Sequence, residues 1–482
     1  MSSINTQKIA EYIFVSIIVV LAFLARTYRL NEPLADWHSW RQADTSSVTR
    51  RFVSEGIDLL HPRYDDLSSI PSGKDNPQGW RFVEFPIINA LTAVTFNWID
   101  VFSLEVWGRL TSIAISILAI LVVYTLTKKY LGQRVAILSS VLFAFLPYNI
   151  YYHRTVLPEV PFLLFSLLAF YCFLRWLDTE RWLQMAISVI AAAIALLLKP
   201  FFIFMVFPMA YAAYKKWGIG LFRRKALYLY MAAAIIPFIA WRFWAAGFPE
   251  GIPANTWLLN GSRIRFRPAF FRWIFAERIG RLIFGFWGLL PFGLGLMRKP
   301  KGKLPFLFHW WLVGMLAYLA VFATGNVTHD YYQIFIIPPL VIFAAIGADW
   351  MLGLPKQMVI RPVTWILIGT TLVFWFGFSW FHIRDYFNIN HPEIVKAGIA
   401  ADRILPKNAK VIAPYQGDTA FLYQTNRQGW PIGGGIADKI DQGATDYVSV
   451  NLDDETKYLI ERCKPSIALD GITIISLRYC SL

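Results

Sequence analysis

Apolar runs of about 20 residues recur along most of this chain, and they constrain its fold more than any other feature. A helix needs about 20 consecutive, largely apolar residues to cross the hydrocarbon core of a bilayer. Such runs lie near 9–28, 104–127, 134–152, 158–176, 183–199, 201–217, 226–246, 280–297, 304–324, 333–353 and 362–382. They predict an all-α polytopic membrane domain of about eleven transmembrane helices. The count can differ by one at the 183–217 pair, where the Lys199-Pro200 step favours a helix boundary.

Composition supports the same class. Hydrophobic residues make up 56% of the 482 residues and charged residues 16%, whereas a soluble domain carries about a quarter charged residues. The formal charge of +15 is compatible with nucleic-acid binding, but many lysines and arginines stand in short loops between apolar runs. There they orient helices and meet anionic lipid headgroups. We therefore expect membrane lipids as partners and no nucleic acid.

The distribution of basic residues predicts the orientation. Loops on the cytoplasmic side of membrane proteins are enriched in lysine and arginine. With the N-terminus in the cytoplasm, the inside loops hold Lys128, Lys129, Arg134, Arg175, Arg181, Lys215, Lys216, Arg223, Arg224, Lys225, Arg298, Lys299, Lys301, Lys303, Lys356 and Arg361. The short outside loops hold only Arg154 and Lys199. Run 9–28 lacks a small-residue cleavage site, so we expect a retained helix rather than a signal peptide. We expect the chain to lie in a bacterial inner (cytoplasmic) membrane.

Three polar segments then lie outside: the loops 30–103 and 247–279, and the tail. We predict a transmembrane domain over 1–385 and a small extracytoplasmic α/β domain over 386–482. The tail carries β-type runs at 409–414, 447–451 and 472–477 and a helical stretch near 455–462. Cys463 and Cys480 could pair if the tail faces an oxidising compartment. Cys172 lies in an apolar run and is expected to be a buried thiol.

The first long loop begins with an amphipathic pattern from about Asp44 to Glu55, in which Val48 and Phe52 share a face. Asp44 is placed to cap the N-terminus of this helix, and Gly56 to end it. A helix close to a membrane span is expected to lie in the outer interface.

Two stretches of this loop carry a resemblance. WRQADTSSVTRRFVSEGIDLLHPRYD at 40–65, followed by WRFVEFP at 80–86, resembles the first outer loop of the GT-C glycosyltransferases, especially aminoarabinose transferases and protein O-mannosyltransferases. The resemblance implies a GT-C-like fold and sugar transfer from a polyprenyl-phosphate carrier outside the cytoplasm. By that similarity Asp44 matches the catalytic or substrate-binding acid and Glu84 the second loop acid. Phe85 stands where the aminoarabinose transferases carry lysine, and Thr45 where the mannosyltransferases carry a second acid.

Three further stretches resemble the same family in order. HRTVLPE at 153–159 matches a short outer loop with an acidic residue beside proline, which implies a catalytic role for Glu159. LLLKP at 196–200 resembles a lysine at the outer end of a helix, which implies that Lys199 binds phosphate. HDYYQIFIIPPL at 329–340 resembles the start of a late helix and includes Tyr331, a candidate substrate-binding residue.

Each candidate has an ordinary structural alternative. Asp44 is either a general base or a helix cap. Glu84 is either functional or part of a solvated loop ion pair with nearby Arg81. Glu159 is either catalytic or stabilised by the positive end of a helix dipole. Lys199 either binds phosphate or extends its ammonium group to the headgroup region.

The remaining candidates would bind substrate phosphate or a metal. Arg41, Arg81, Arg154, Arg265 and Tyr331 are predicted to contact the donor; the basic segment 263–267 around Arg265 is alternatively a headgroup anchor. Glu84, His329 and Asp330 could hold a divalent cation, and the alternative for the adjacent His329-Asp330 pair is a polar turn.

The sequence thus predicts a membrane glycosyltransferase that inverts the anomeric centre, with a glycan, lipid or protein as acceptor. The alternative is a transporter or flippase of a lipid-linked sugar. Such proteins carry charged or broken helices near the bilayer midplane. Glu11 and Lys199 both lie near the ends of their predicted spans, which argues against transport.

Overall fold

The computed structural model describes residues 2–354, 361–469 and 471–480, and these form two compact units. The helical unit comprises Met1–Leu30, Leu110–Ala240 and Asn255–Tyr386. The loop–tail unit comprises Asn31–Arg109, Trp241–Ala254 and Phe387–Leu482. The predicted boundary near 385 coincides with the change of unit at Phe387. The domain division into 1–385 and 386–482 stays a prediction, because the first long loop lies in the same unit as the tail.

Long apolar helices dominate the helical unit. A backbone in lipid must satisfy its hydrogen bonds internally, which a helix does. Among the described residues, six helices are long and apolar enough to cross a membrane: Lys8–Arg26, Leu104–Leu131, Glu159–Thr179, Lys225–Ala245, Tyr332–Gly353 and the one that begins at Arg361. Shorter apolar helices are Gln133–Phe145, Trp182–Leu198 and Leu307–Val321. The predicted membrane class is therefore confirmed, and the number eleven stays a prediction.

Several predicted spans are interrupted, each at an identifiable residue. The predicted break at Lys199-Pro200 is confirmed, since helix Trp182–Leu198 ends there and a 3₁₀ turn, Pro200–Met205, precedes Val206–Trp217. Run 134–152 divides at Pro147 into Gln133–Phe145 and Pro147–Tyr152. Proline cannot donate the backbone hydrogen bond that a continuous helix would require.

The prediction of one helix over 280–297 is wrong. A π-helical segment, Arg272–Ile283, is followed by a turn and then by helix Leu289–Leu296. Gly285 in that turn has φ of 48°, and a Cβ there would lie 2.6 Å from the carbonyl oxygen of Trp375. Only glycine fits both the left-handed backbone and the close approach of the neighbouring helix.

Close backbone packing holds helix Leu289–Leu296 against Ile337–Gly353. A Cβ at Gly295 would come within 1.8 Å of the carbonyl oxygen of Phe343. Small residues at such crossings let helices approach in a membrane, where apolar burial gives little driving force. The helix that begins at Arg361 runs to Ile383. The other short elements of this unit are Gly218–Arg223, Trp257–Asn260, Gly261–Phe266, Pro268–Phe271, Ala323–Thr328, Tyr332–Ile336 and Arg384–Phe387.

The tail contributes a five-stranded sheet to the loop–tail unit. Its strands are β1 (Lys410–Ile412), β2 (Gln428–Trp430), β3 (Asp446–Ser449), β4 (Ser466–Leu469) and β5 (Ile472–Ser476), in the order β2-β1-β3-β5-β4. Strand β1 is parallel to β2 and β3, whereas β5 is antiparallel to β3 and β4. The tail helices are Pro392–Ile404, Thr419–Gln424, Ile436–Asp441 and Asp454–Arg462. The three β-type runs and the helix near 455–462 are therefore confirmed.

A disulfide joins Cys463 to Cys480 beside this sheet. This cross-link joins cysteines that are 17 positions apart, and the loop it closes restricts the unfolded chain more than the folded one. The expectation for the third cysteine is also confirmed, because Cys172 is a buried free thiol.

The first long loop folds into two helices, Ser39–Glu55 and Ile87–Trp98. The prediction that Asp44 caps the first of them is wrong, because that helix begins five residues earlier, after His38. Asp44 lies inside the helix. Its end at Gly56 is confirmed, with φ of 96° at that glycine. The apolar face of Val48 and Phe52 packs against Tyr64 and Ala93.

Candidate functional site

Asp44 lies at the centre of a buried polar cluster in the loop–tail unit. The residue is 5% exposed. Its Oδ2 accepts a hydrogen bond from Nη2 of Arg81 over 2.6 Å, and its Oδ1 accepts one from Oγ1 of Thr419 over 2.7 Å. Each carboxylate oxygen keeps a second lone pair. Asp44 is therefore held in one orientation and still able to accept a proton or a further hydrogen bond.

Two more aspartates share this region. Burial raises the pKa of Asp66 to about 7; the backbone and side chain of Ser68 lower it, and the charge of Asp44 raises it further. Burial likewise raises the pKa of Asp418 to about 6, with the charge of Asp44 adding to the effect. Carboxylates in a shared low-dielectric site disfavour one another's ionised forms. The pKa of Asp66 therefore lies near neutral pH, and that of Asp418 lies about one unit below it.

Glu84 and Arg41 form a second buried pair in the same unit. Nη2 of Arg41 donates to Oε1 of Glu84, and the side chains are 6% and 14% exposed respectively. The alternative of a solvated loop pair between Arg81 and Glu84 is thus not what the structure contains. Arg81 instead bonds Asp44, and its guanidinium lies 4.8 Å from the ring centre of Tyr64.

In the helical unit, Lys199 pairs with Glu159. Lys199 Nζ lies 3.1 Å from Glu159 Oε1, and the two side chains are 9% and 4% exposed. Lys199 follows the last residue of helix Trp182–Leu198, and Glu159 is the first residue of helix Glu159–Thr179. The lysine is therefore buried beside a carboxylate rather than extended to the headgroups. Both helix-end positions agree with the predicted topology.

Aromatic rings surround the ammonium group of Lys199. Its Nζ lies 5.5 Å from the ring centre of Tyr332 and 5.9 Å from that of Phe201. Ring faces attract cations, with a strength of about 0.5–2 kcal/mol. The rings carry no net negative charge, so they do not compete with an anion for the lysine. The pair is thus a cation held at a helix end, with the carboxylate of Glu159 as a counter-ion.

Arg154 and Arg265, two of the predicted phosphate ligands, bind backbone carbonyls. Nη1 of Arg154 donates to the carbonyl oxygens of Tyr28 and Arg29 over 2.6 and 2.9 Å, and the residue is fully buried. Nη2 of Arg265 donates to the carbonyl oxygen of Val321 over 2.8 Å. These contacts fix the ends of helices. A role in phosphate binding stays a prediction for both.

Asp330 is buried among phenols. Its Oδ1 accepts from Oη of Tyr152 and its Oδ2 from Oη of Tyr386, the latter over 2.7 Å. Arg278 Nη1 lies 3.7 Å from the same Oδ2. The oxygens thus have protein donors in the positions where a metal would bind.

His329 is held by aromatic stacking. Its ring lies 5.3 Å from that of Tyr331 and 5.7 Å from that of Trp257. Tyr331 itself is 1% exposed and packs against Tyr332. Among the residues that the structure describes, no group of three or more His, Cys, Asp or Glu side chains could hold a metal ion.

Sequence reasoning missed several members of these clusters. Thr419 and Asp418 gave no local signal, because the chain brings them to Asp44 from more than 370 residues away. Tyr152 and Tyr386 were likewise missed around Asp330. Tyr332 stood within the quoted HDYYQ stretch, and its place beside the predicted Tyr331 was the only available signal.

Known proteins resemble the chain in part of its sequence and nearly all of its fold. Residues 86–244 match the model of the family described as dolichyl-phosphate-mannose-protein mannosyltransferase. No curated protein sequence matches the chain.

Two solved structures share the fold at low identity. ArnT from Cupriavidus metallidurans, bound to undecaprenyl phosphate, matches with a TM-score of 0.68 and 12% identity, covering 97% of this chain and 99% of that one. The Archaeoglobus fulgidus oligosaccharyltransferase, in complex with Zn and sulfate, matches with a TM-score of 0.56 and 12% identity, covering 90% and 67%. At this identity the likeness concerns the fold.

Proposed function

We propose that this chain, which has the GT-C glycosyltransferase fold, moves a sugar from a polyprenyl-phosphate carrier to an acceptor at the extracytoplasmic face. One observation carries the proposal: the buried pair of Lys199 and Glu159 at the ends of two apolar helices. A buried cation at the end of a membrane helix is costly unless it pairs with an anion. The resident counter-ion in this pair is the carboxylate of Glu159. An incoming phosphate could replace it as the partner of the lysine.

Lys199 is assigned to the carrier phosphate. The carrier's lipid tail stays in the bilayer, so its phosphate must be met at the membrane boundary. The predicted topology puts the end of helix Trp182–Leu198 at that boundary. As the anomeric C–O bond breaks, the bonding electrons pass to the phosphate oxygen. A fixed ammonium group stabilises that developing charge without reorganisation. The departing group is the polyprenyl phosphate.

Asp44 is assigned as the general base. The acceptor's hydroxyl oxygen forms the new bond to the anomeric carbon from the face opposite the phosphate, and its proton passes to the carboxylate. One displacement on the opposite face inverts the anomeric centre. Arg81 and Thr419 fix the orientation of Asp44, and a positioned base contributes about 10²–10⁴-fold to such a rate.

Glu84 and Arg41 are assigned to acceptor or sugar recognition. Glu84 is the more exposed member of its pair, at 14% of the side chain, and can accept hydrogen bonds from sugar hydroxyls. The glycan, lipid or protein nature of the acceptor is left to experiment. A divalent cation stays a hypothesis as well. The transfer described above does not require one, because hydrogen-bond donors already contact both carboxylate oxygens of Asp330.

The direct test is a transfer assay on purified protein. The chain is incubated with radiolabelled polyprenyl-phosphate sugars and membrane extract, and the labelled product is identified by mass spectrometry. We expect the label in a new glycosidic bond. Asp44→Asn and Lys199→Gln should abolish transfer. The matched control is Asp75→Asn, an exposed acid in the same loop, which should retain full activity.

A flippase would give a different outcome. In proteoliposomes it would move the lipid-linked sugar between leaflets with the sugar–phosphate bond intact. Movement without cleavage would therefore replace the proposal, and full transfer activity in both variants would contradict the assigned roles. Addition of a chelator to the same assay tests the divalent cation.

A further inference from the structure

A pocket lies in the helical unit at the loop before helix Leu307–Val321. Its volume is about 370 Å³. The polar and charged side chains that line it are Tyr130, Arg298, Lys299, Lys301, Lys303 and His309. None of these residues has a place in the proposed transfer reaction.

The pocket is at the opposite end of the helices from Lys199 and Glu159. Val135 lines the pocket near the start of helix Gln133–Phe145, and 13 residues of helix span about 20 Å. Phe308 lines it at the start of Leu307–Val321. Near the other end of that helix, the Tyr318 hydroxyl donates to the carbonyl oxygen of Tyr332. The ring of Tyr332 in turn lies 5.5 Å from Nζ of Lys199. Charge distribution predicts this pocket end to be cytoplasmic.

Positive charge dominates the pocket. Among the residues that the structure describes, four lysine or arginine side chains line it, and no aspartate or glutamate does. Two acids beside lining residues have basic partners of their own: Asp349, three positions after Ile346, lies 3.0 Å from Arg134, and Asp178 pairs with Lys129, the neighbour of Tyr130. Like charges gathered in one short loop repel one another. An anion in the pocket would relieve that repulsion.

Two buried polar atoms of the lining have no hydrogen-bond partner among the described residues: Oη of Tyr130 and Nδ1 of His309. The His309 ring packs 4.8 Å from that of Phe343 and 5.5 Å from that of Phe306. The Tyr130 ring packs 6.4 Å from that of Phe308. Both polar groups are thus held in place by ring packing. Buried polar atoms are rarely left unsatisfied, so these two groups point to a ligand.

We propose that this pocket binds the phosphate headgroup of an anionic lipid. Lysine and arginine supply the charge, and the phenol and imidazole supply fixed hydrogen bonds to phosphate oxygens. The side chains that flank the pocket favour a lipid over free phosphate. Met297, Phe306 and Trp310 are 84%, 50% and 42% exposed, as surfaces that face acyl chains are.

Native mass spectrometry of the purified full chain tests the proposal. The protein is titrated with phosphatidylglycerol, with phosphatidylcholine of the same acyl chains, and with inorganic phosphate. We expect phosphatidylglycerol to bind at least about tenfold more tightly than either competitor, since each basic residue near an anionic lipid contributes about fivefold. Lys301→Gln/Lys303→Gln should raise its Kd about 25-fold, and Tyr130→Phe about fivefold or more.

The matched control removes the same charge outside the pocket. Lys215→Gln/Arg223→Gln alters two exposed basic residues of another predicted inside loop and should leave the Kd unchanged. An equal loss in this control would show a general charge effect and overturn the site. Equal binding of phosphatidylcholine, or full competition by inorganic phosphate, would overturn the lipid assignment.

Discussion

The hydroxyl of Thr419 donates a hydrogen bond to the carboxylate of Asp44 over 2.7 Å, although 375 residues separate them. Thr419 opens a short helix, Thr419–Gln424, whose N-terminus is capped by the side chain of Asp418. The tail therefore supplies one of the two groups that orient Asp44. This gives the tail a structural connection to the proposed base.

Replacement of Thr419 tests that connection. Thr419→Val removes the hydroxyl and keeps the shape of the side chain, so Asp44 keeps Arg81 as its only assigned orienting donor. We expect kcat to fall about tenfold, the cost of one net hydrogen bond, with the KM for donor unchanged. Thr419→Ser restores a hydroxyl and should recover most of the rate. Equal activity of the valine and serine variants would contradict the positioning role.

Arg81 and Asp44 should behave as a buried ion pair in unfolding experiments. Arg81→Met leaves a buried aspartate without its guanidinium, and breaking such a pair costs about 3–5 kcal/mol. The double variant Arg81→Met/Asp44→Asn removes both charges and should be more stable than Arg81→Met alone. Unfolding of the detergent-solubilised protein, followed by tryptophan fluorescence, measures both.

The control for this pair is exposed. Lys457 Nζ lies 3.6 Å from Asp454 Oδ1, with side chains 62% and 105% exposed. Lys457→Met should therefore change the free energy of unfolding by less than about 1 kcal/mol. A loss in this control as large as in Arg81→Met would mean that burial of the pair is unimportant.

Lys199 and Glu159 should have opposite effects on carrier binding. Lys199→Gln removes the cation, so we expect the Kd for polyprenyl phosphate to rise at least about tenfold, as for loss of a charged hydrogen bond. Glu159→Gln removes the resident counter-ion that competes with phosphate, so the Kd should fall while turnover is lost. Isothermal titration calorimetry measures both constants. A change in the same direction for both variants would contradict competition for the lysine.

Asp66 should make stability depend on pH. Its folded-state pKa, raised to about 7 by burial, exceeds the value of about 3.9 in an unfolded chain. The protonated side chain therefore contributes stability that is complete below about pH 4 and is lost as the pH rises towards 7. At about 1.4 kcal/mol per pKa unit, the loss is on the order of a few kcal/mol.

Asp66→Asn removes that titration. The variant should melt at a higher temperature than the parent chain at pH 8, and the two melting temperatures should converge near pH 4. Asp75→Asn, an exposed site in the same loop, should leave the parent profile unchanged. The assignment would be contradicted if the melting temperatures of the parent chain and of Asp66→Asn rose by the same amount from pH 4 to pH 8.

Local patterns in the sequence predicted most of the fold. Apolar length predicted the membrane helices, Pro200 predicted the helix break after Lys199, and alternating apolar residues predicted β1, β3 and β5. The error over 280–297 arose because hydropathy does not report a turn at Gly285. The left-handed φ there serves a contact with a helix about 90 residues further along the chain.

The sequence singled out candidate residues, but it did not predict how they are arranged. In the structure Asp44, Glu84, Glu159 and Lys199 each belong to a buried or half-buried ion pair, and their roles in a reaction stay predictions. The partners were not predictable, because Arg81 bonds Asp44 rather than Glu84, and Lys199 pairs with Glu159, which lies 40 positions earlier in the chain. Such pairings depend on tertiary contacts that no local spacing encodes. The predicted capping role of Asp44 was wrong because the helix already begins at Ser39, after His38.

The most direct test of the account is the fate of the bond between the sugar and the carrier phosphate. Purified protein is supplied with a polyprenyl-phosphate sugar labelled in both sugar and phosphate, together with membrane extract. The account predicts that the sugar label moves to the acceptor with inverted anomeric configuration, that one polyprenyl phosphate is released per transfer, and that Lys199→Gln does neither. The account would be contradicted if the folded chain left the donor intact with every fraction of the extract. It would also be contradicted if the sugar and phosphate labels were released together.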